Sequence, residues 1–223
     1  MCSLTVGPKI CTPRLQIASA LYHRLKNSDL SSIETVRLVA DGCAGQNKNT
    51  IMLGMLSKWL TEAPQNVKKV ELVFPVVGHA YIPPDRVFAQ IEKQVRKQGS
   101  GPEKYIEIIS KFSTVTALGT DFEVFDWKTA SQEVFKPVGS WHFRFKLCKR
   151  SKRPRNVKIE GHLYYKTDAG VLKNVCQRNK TTSMINPRKI NISNKITDSK
   201  KKDLLTLLRS HWGNDWQQNG HSL

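Results

Sequence analysis

The N-terminal half of the chain alternates between helical and extended hydrophobic patterns. From Gln16 to Lys26, Ile17, Leu21 and Leu25 recur every four residues with Ala18 and Tyr22 beside them, the spacing of an amphipathic helix. After the polar break Asn27-Ser28-Asp29, the run Val36-Arg37-Leu38-Val39-Ala40 has the length and composition of a strand. A second helix is predicted from about Asn47 to Leu60, with Met52, Leu53, Met55, Leu56, Trp59 and Leu60 on its apolar face. Val70, Leu72 and Phe74 then alternate as a strand running to about Val77, and a third helix opens near Asp85 with Val87, Phe88, Ile91 and Val95 on one side. The order α-β-α-β-α, a helix following each strand, predicts an α/β layer with a parallel strand pair.

Gln98-Gly99-Ser100-Gly101-Pro102 punctuates the chain as a linker, and one short helix is expected from Glu103 to Phe112. From about Val138 the pattern changes. Trp141-His142-Phe143-Arg144-Phe145-Lys146-Leu147 alternates strictly and His162-Leu163-Tyr164-Tyr165 more loosely, so strands are expected there, with Lys149 to Arg155 as the turn between them. A last helix, Lys202 to His211, carries Leu204, Leu205, Leu207 and Leu208.

Charge adds a direction to this picture. The chain of 223 residues has 36 Lys and Arg against 18 Asp and Glu. Residues 136–209 hold 20 of those bases and only 4 of the acids, so the rest of the chain, with 16 and 14, is nearly neutral. A basic block of this kind attracts polyanions and makes nucleic acid the expected partner, although an ordinary solvated surface also carries such charge. Within it, Lys149, Arg150, Lys152, Arg153 and Arg155 are the expected phosphate contacts, and the run resembles a nuclear address. The aromatics Trp141, Phe143, Phe145, Tyr164 and Tyr165 interleave with bases, as single-strand stacking would need. At alternating strand positions, however, they are read first as core. No recognition helix or zinc finger is legible, so binding through the backbone, without base reading, is the expectation. The five cysteines form no C-x-x-C pair and are read as free thiols of an intracellular protein. No stretch comes near the ~18 apolar residues of a membrane span.

Two acids fall where open α/β sheets place functional groups: Asp41 just beyond a strand and Asp85 at a helix start. Carboxylates from adjacent connections suit Mg²⁺, which prefers oxygen ligands, although Asp is also a common helix cap. Asp41-Gly42-Cys43-Ala44-Gly45-Gln46-Asn47-Lys48-Asn49 and the later Gly78-His79 to Asp85 segment resemble the D-x-C-x-G-Q-N-K-N and G-H-x5-D motifs of a eukaryotic domain-of-unknown-function family descended from DNA transposons. Trp127-Lys128 and Trp141-His142-Phe143 resemble the tail of its arthropod members.

The resemblance implies a ribonuclease-H-like fold with a transposase-type acidic triad. Asp41 would be the second acid and Asp85 the third, both metal ligands, with Glu92 as a fallback and His79 assisting. The first acid would lie on an N-terminal hairpin. Only 15 residues precede the first predicted helix, and they contain no Asp or Glu. The chain is therefore expected to be N-terminally truncated relative to the family, to lack the sheet's central strand, and to be catalytically inactive. The alternative is an Mg²⁺-dependent nuclease or transposase of which this is an incomplete part. A P-loop is a weaker match to the same segment, because Gly45 and Lys48 are not adjacent. The expected organisation is a partial ribonuclease-H-like α/β domain over 1–98, a linker with one helix over 99–135, and a small basic β-rich module over 136–223.

Overall fold

The computed structural model describes residues 13–43, 46–75, 83–98, 102–136, 145–150, 157–162, 171–173, 175–190 and 198–212. Its first elements follow the alternation of the sequence: α1 (Pro13–Lys26), β1 (Thr35–Val39), α2 (Thr50–Glu62), β2 (Lys69–Val73) and α3 (Pro83–Gln98). After them come α4 (Pro102–Ser110), β3 (Val124–Phe125), α5 (Trp127–Val134), β4 (Phe145–Arg150), β5 (Val157–His162), β6 (Val171–Lys173), a 3-10 turn (Thr182–Met184), β7 (Lys189–Ile190) and α6 (Asp198–Trp212).

The mixed helix and strand architecture is of the α/β class. The main sheet has five strands in the order β1-β2-β4-β5-β6. β1 and β2 are parallel, as the intervening helix requires, and β4, β5 and β6 extend the sheet antiparallel. One expectation is corrected here. The strands of the basic C-terminal region do not form a sheet of their own; β4 is hydrogen-bonded to β2, with Glu71 opposite Leu147. Composition shifts at residue 136, but pairing follows complementarity of strand edges, which is blind to net charge.

Contacts divide the chain into two compact units. The larger comprises Cys11–Tyr81 and Ala117–Asn191, and the smaller Met1–Ile10, Ile82–Thr116 and Ile192–Leu223. In the smaller unit α3 packs on α4, with Ile91, Ile108 and Ile109 buried and Val87, Val95 and Phe112 against them. Thus α3, expected within the first domain, groups with the helix expected in the linker.

In the larger unit α2 is the axis of the core. Met52, Leu53, Met55, Leu56, Trp59 and Leu60 are all buried, as their spacing predicts, and α2 packs against α1, α5 and the sheet. Burying side chains of this size contributes ~1.5–3 kcal/mol each. The approach of α5 to α2 depends on Gly54: a Cβ there would lie 2.0 Å from Ser131 Oγ and 2.9 Å from its Cβ. α1 is tied to the β3–α5 segment by Ser19, whose hydroxyl accepts from the Phe125 amide and from Trp127 Nε1, both at 3.0 Å. Tyr22, Phe125 and Trp127 pack edge-to-face beside that bond.

Candidate functional site

Strand register decides what the sheet presents. Side chains alternate between faces along a strand. Val36, Leu38, Val70, Leu72 and Ile159 therefore share one face, the apolar one that takes α2. The opposite face carries Arg37, Glu71, Leu147 and Glu160 in one cross-strand row. The neighbouring row on that face is Thr35, Lys69, Lys149 and Lys158. Three lysines thus occupy adjacent positions on β2, β4 and β5, about 4.8 Å apart from strand to strand. Like charges placed directly opposite destabilise a sheet, and at Lys69 the carboxylate of Glu71 offsets that repulsion.

The carboxylates of this face are buried. Glu71 is buried and receives Arg37 Nε at 2.7 Å and Lys69 Nζ at 2.8 Å. Burial alone would raise the Glu71 pKa, but the hydrogen bonds from Lys69 and Arg37 and their charges outweigh it and hold the carboxyl below its usual range. Glu160 is buried too. The Arg37 side chain is 66% exposed, and Lys158 is exposed.

Of the expected phosphate contacts, Lys149 and Arg150 belong to β4 rather than to a turn. The ladder with β2 and β5 holds them extended, Lys149 opposite Lys69 and Arg150 opposite Val157. Lys152, Arg153 and Arg155 lie outside the described residues, as do Trp141, Phe143, Tyr164, Tyr165 and His79.

Asp41 follows β1 by two residues and is exposed. Its Oδ1 accepts from the Cys43 amide at 2.9 Å, and its carbonyl oxygen accepts from Asn47 Nδ2 at 3.3 Å. The amides of Gln46, Asn47 and Lys48 all converge on the Cys43 carbonyl at 2.9–3.1 Å. Asn49 closes the motif as the N-cap of α2: its Oδ1 accepts from Met52 N at 3.0 Å and its Nδ2 donates to Gln46 O at 2.8 Å. The described residues of the Asp-to-Asn run thus bond to one another and launch a helix, roles that suit short polar side chains. They do not support a P-loop: the amides of Gln46, Asn47 and Lys48 are spent on the Cys43 carbonyl, and Lys48 Nζ sits over the Phe74 ring, 5.8 Å from its centre.

Asp85 is the third residue of α3, as expected, and Glu92, two turns on, pairs with Arg96 at 2.5 Å. Asp85 and Glu92 belong to the smaller unit and Asp41 to the larger. Among the described residues, no group of three or more His, Cys, Asp or Glu is placed to hold a metal ion.

The larger unit also has a cleft of about 520 Å³ where α2 begins. Arg14 of α1, Asn49, Thr50, Lys128 of α5, Lys136 and Gln177 line it. Gln177 ties its floor to α5, donating from Nε2 to Gln132 O at 3.1 Å and to Phe135 O at 3.0 Å. Beside it, burial pushes the Cys176 thiol pKa up, while the Lys136 charge acts in the opposite direction. Sequence reasoning missed this cleft, since its bases are scattered over more than 120 positions. The one local signal was Asp126 before Trp127, a helix cap accepting from the Thr129 amide at 3.0 Å.

These features define an α/β protein with a basic sheet face and a structured turn after its first strand. Residues 16–162, more than half of the chain, match the family described as domain of unknown function DUF7869, and the chain belongs to that family. No curated protein and no solved structure gives a significant match. Among the described residues, no helix is long and apolar enough to cross a membrane.

Proposed function

We propose that this chain is a transposase-derived, catalytically inactive protein that holds the phosphate backbone of nucleic acid without reading its bases. The row Lys69, Lys149 and Lys158, flanked by exposed Arg37, carries the proposal. Bases set side by side across three strands, exceeding the one carboxylate that pairs with Lys69 and Arg37, attract a polyanion. The excess of 20 bases over 4 acids in residues 136–209 supplies the longer-range attraction. A transposon lineage and a ribonuclease-H-like ancestry are supported by the Asp41-to-Asn49 run and the Gly78-to-Asp85 segment occurring in order. Nuclear import through the bases of 149–155 suits the same partner.

The test is a triple substitution, Lys69→Gln, Lys149→Gln and Lys158→Gln, with binding to a labelled DNA duplex followed by anisotropy from 50 to 200 mM KCl. Each lost phosphate contact removes about 0.9 from the slope of log K against log salt. Three contacts change it by ~2.7, so the wild type should lose roughly 40-fold more affinity over that range than the variant. Equal slopes, or no binding by the wild type at 50 mM, refute the proposal.

A further inference from the structure

β1 is the end strand of the five-stranded sheet, and among the described residues nothing is hydrogen-bonded to the backbone of its outer edge. Its inner edge faces β2. The Glu34 carbonyl accepts from the amides of Lys68 and Lys69, and the Ala40 amide donates to the Val73 carbonyl at 3.0 Å. Backbone groups alternate in direction along a strand, so with Glu34, Val36, Leu38 and Ala40 turned to β2, the amides and carbonyls of Thr35, Arg37 and Val39 point outward. The edge lacks the usual guards against pairing: β1 holds no lysine or proline, and its register with β2 is unbroken. Ile33 and Val39 are 37% and 48% exposed, two of the three large hydrophobics exposed among the described residues of the larger unit. The apolar exposure of that unit therefore gathers at the two ends of β1.

We infer that this edge pairs antiparallel with β1 of a second copy of the chain, about a two-fold axis at Val39. Charge sets the register. With Val39 opposite its own counterpart, Leu38 lies opposite the second copy's Ala40, and Arg37 opposite its Asp41. Arg37 gives only its Nε to Glu71, so its terminal nitrogens are left for another carboxylate. Asp41 is exposed, and the Cys43 amide occupies only its Oδ1. Opposite charges facing each other across two strands stabilise the pair. An axis at Arg37 would instead set two arginines face to face and leave Asp41 unmet. In the chosen register the exposed Val39 side chains cover each other, as a self-complementary two-fold contact requires. Residues directly opposite share a face of the sheet, so the lysine rows of both copies come to lie on one surface.

The test is the mass of the full chain, freed of nucleic acid, by sedimentation equilibrium over a range of concentrations and salt. The expected result is a monomer–dimer equilibrium that holds or strengthens as salt rises, because salt screens the repulsion between two chains of net charge +18. DNA binding through the lysine row falls with salt, so the two proposals are read apart. Val39→Pro removes an outward amide that β2 does not use, and should weaken the dimer at least tenfold. Asp41→Lys sets a cation opposite Arg37 and should do the same, whereas Asp41→Glu should keep the dimer. Val39→Cys should give a disulfide-linked dimer on mild oxidation, since residues paired on the axis come within disulfide range. Met184→Cys, exposed on the same unit, should not. The three substituted residues are all exposed, and melting temperatures check that the variants fold. A monomer at every concentration overturns the inference, as does a dimer that Val39→Pro leaves intact or that dissolves as salt rises. A dimer indifferent to Asp41→Lys overturns the register.

Discussion

Gly54 offers a direct test of how closely α2 and α5 approach. On propensity alone, Gly54→Ala should stabilise the middle of a helix by ~1 kcal/mol. The added methyl, however, would stand 2.0 Å from Ser131 Oγ and 2.9 Å from Ser131 Cβ, with Phe135 Cε2 at 3.8 Å. The hydroxyl can swing away by changing rotamer. The Cβ is fixed to the backbone of α5, so the helices must part by several tenths of an ångström among side chains that are otherwise fully buried. Overpacking of this kind costs ~3 kcal/mol, the upper end of the usual range, where relief needs backbone movement, leaving a net loss of ~2 kcal/mol. In a chain of this length that lowers the melting temperature by roughly 4–8 °C. Calorimetric melts of the wild type, Gly54→Ala, Ser131→Gly and the double variant measure it. The double variant should recover most of the loss, with a coupling of about 1 kcal/mol or more between the sites. A melting temperature unchanged or raised in Gly54→Ala refutes the close approach, and simple additivity refutes Ser131 as its cause.

Ser19→Ala leaves two donors, the Phe125 amide and Trp127 Nε1, without their acceptor in a buried place, and should cost ~2–4 kcal/mol by urea denaturation. A loss under ~0.5 kcal/mol would show that the hydroxyl does not tie α1 to β3 and α5. Glu71 makes stability depend on pH in a defined direction. Its folded pKa is depressed, so its contribution is full above the unfolded carboxyl value of ~4.3 and disappears as pH falls through the folded one. The stability gap between the wild type and Glu71→Gln should therefore be widest near pH 7 and narrow below about pH 4; a gap that stays constant or grows in acid contradicts the pairing with Arg37 and Lys69.

The elements most legible in the sequence were those whose apolar positions repeat over several turns or alternate without interruption. α2 declared itself through six core residues, and β1 and β2 through short apolar runs bounded by polar ones. α5 was not found: at 8 residues it is too short for a helical period to stand out, and only its cap at Asp126 marked it. β4 was ended too early, and 141–144 lie outside the described residues. The alternation of 141–147 is visible as a pattern, whereas the ladder with β2 runs on through Lys149 and Arg150, whose charge disguised them as a turn. β5 was sought at His162 to Tyr165, of which only His162 is described, and its start at Val157, with Val157 and Ile159 on the buried face, was missed. Of the candidate site, Asp41 after β1, Asp85 early in α3 and the strand setting of Lys149 could be approached from the sequence. The lysine row could not, because Lys69 and Lys158 join Lys149 only once a register between distant strands is known.

The place of β4 in the sheet also bears on how the protein is made. β2 emerges from the ribosome more than seventy residues before the strand that covers its second edge. Until then, one side of β2 has only β1, and the other offers unsatisfied amides and carbonyls next to Val70 and Leu72. Closing so long a loop carries an entropy cost that grows only slowly with length, but it delays the reward of the contact. The nascent chain is thus exposed to mispairing for the time needed to synthesise α3, α4 and α5, at ~5–20 residues per second. A fragment that stops short of β4 would leave that edge open permanently and should aggregate rather than fold.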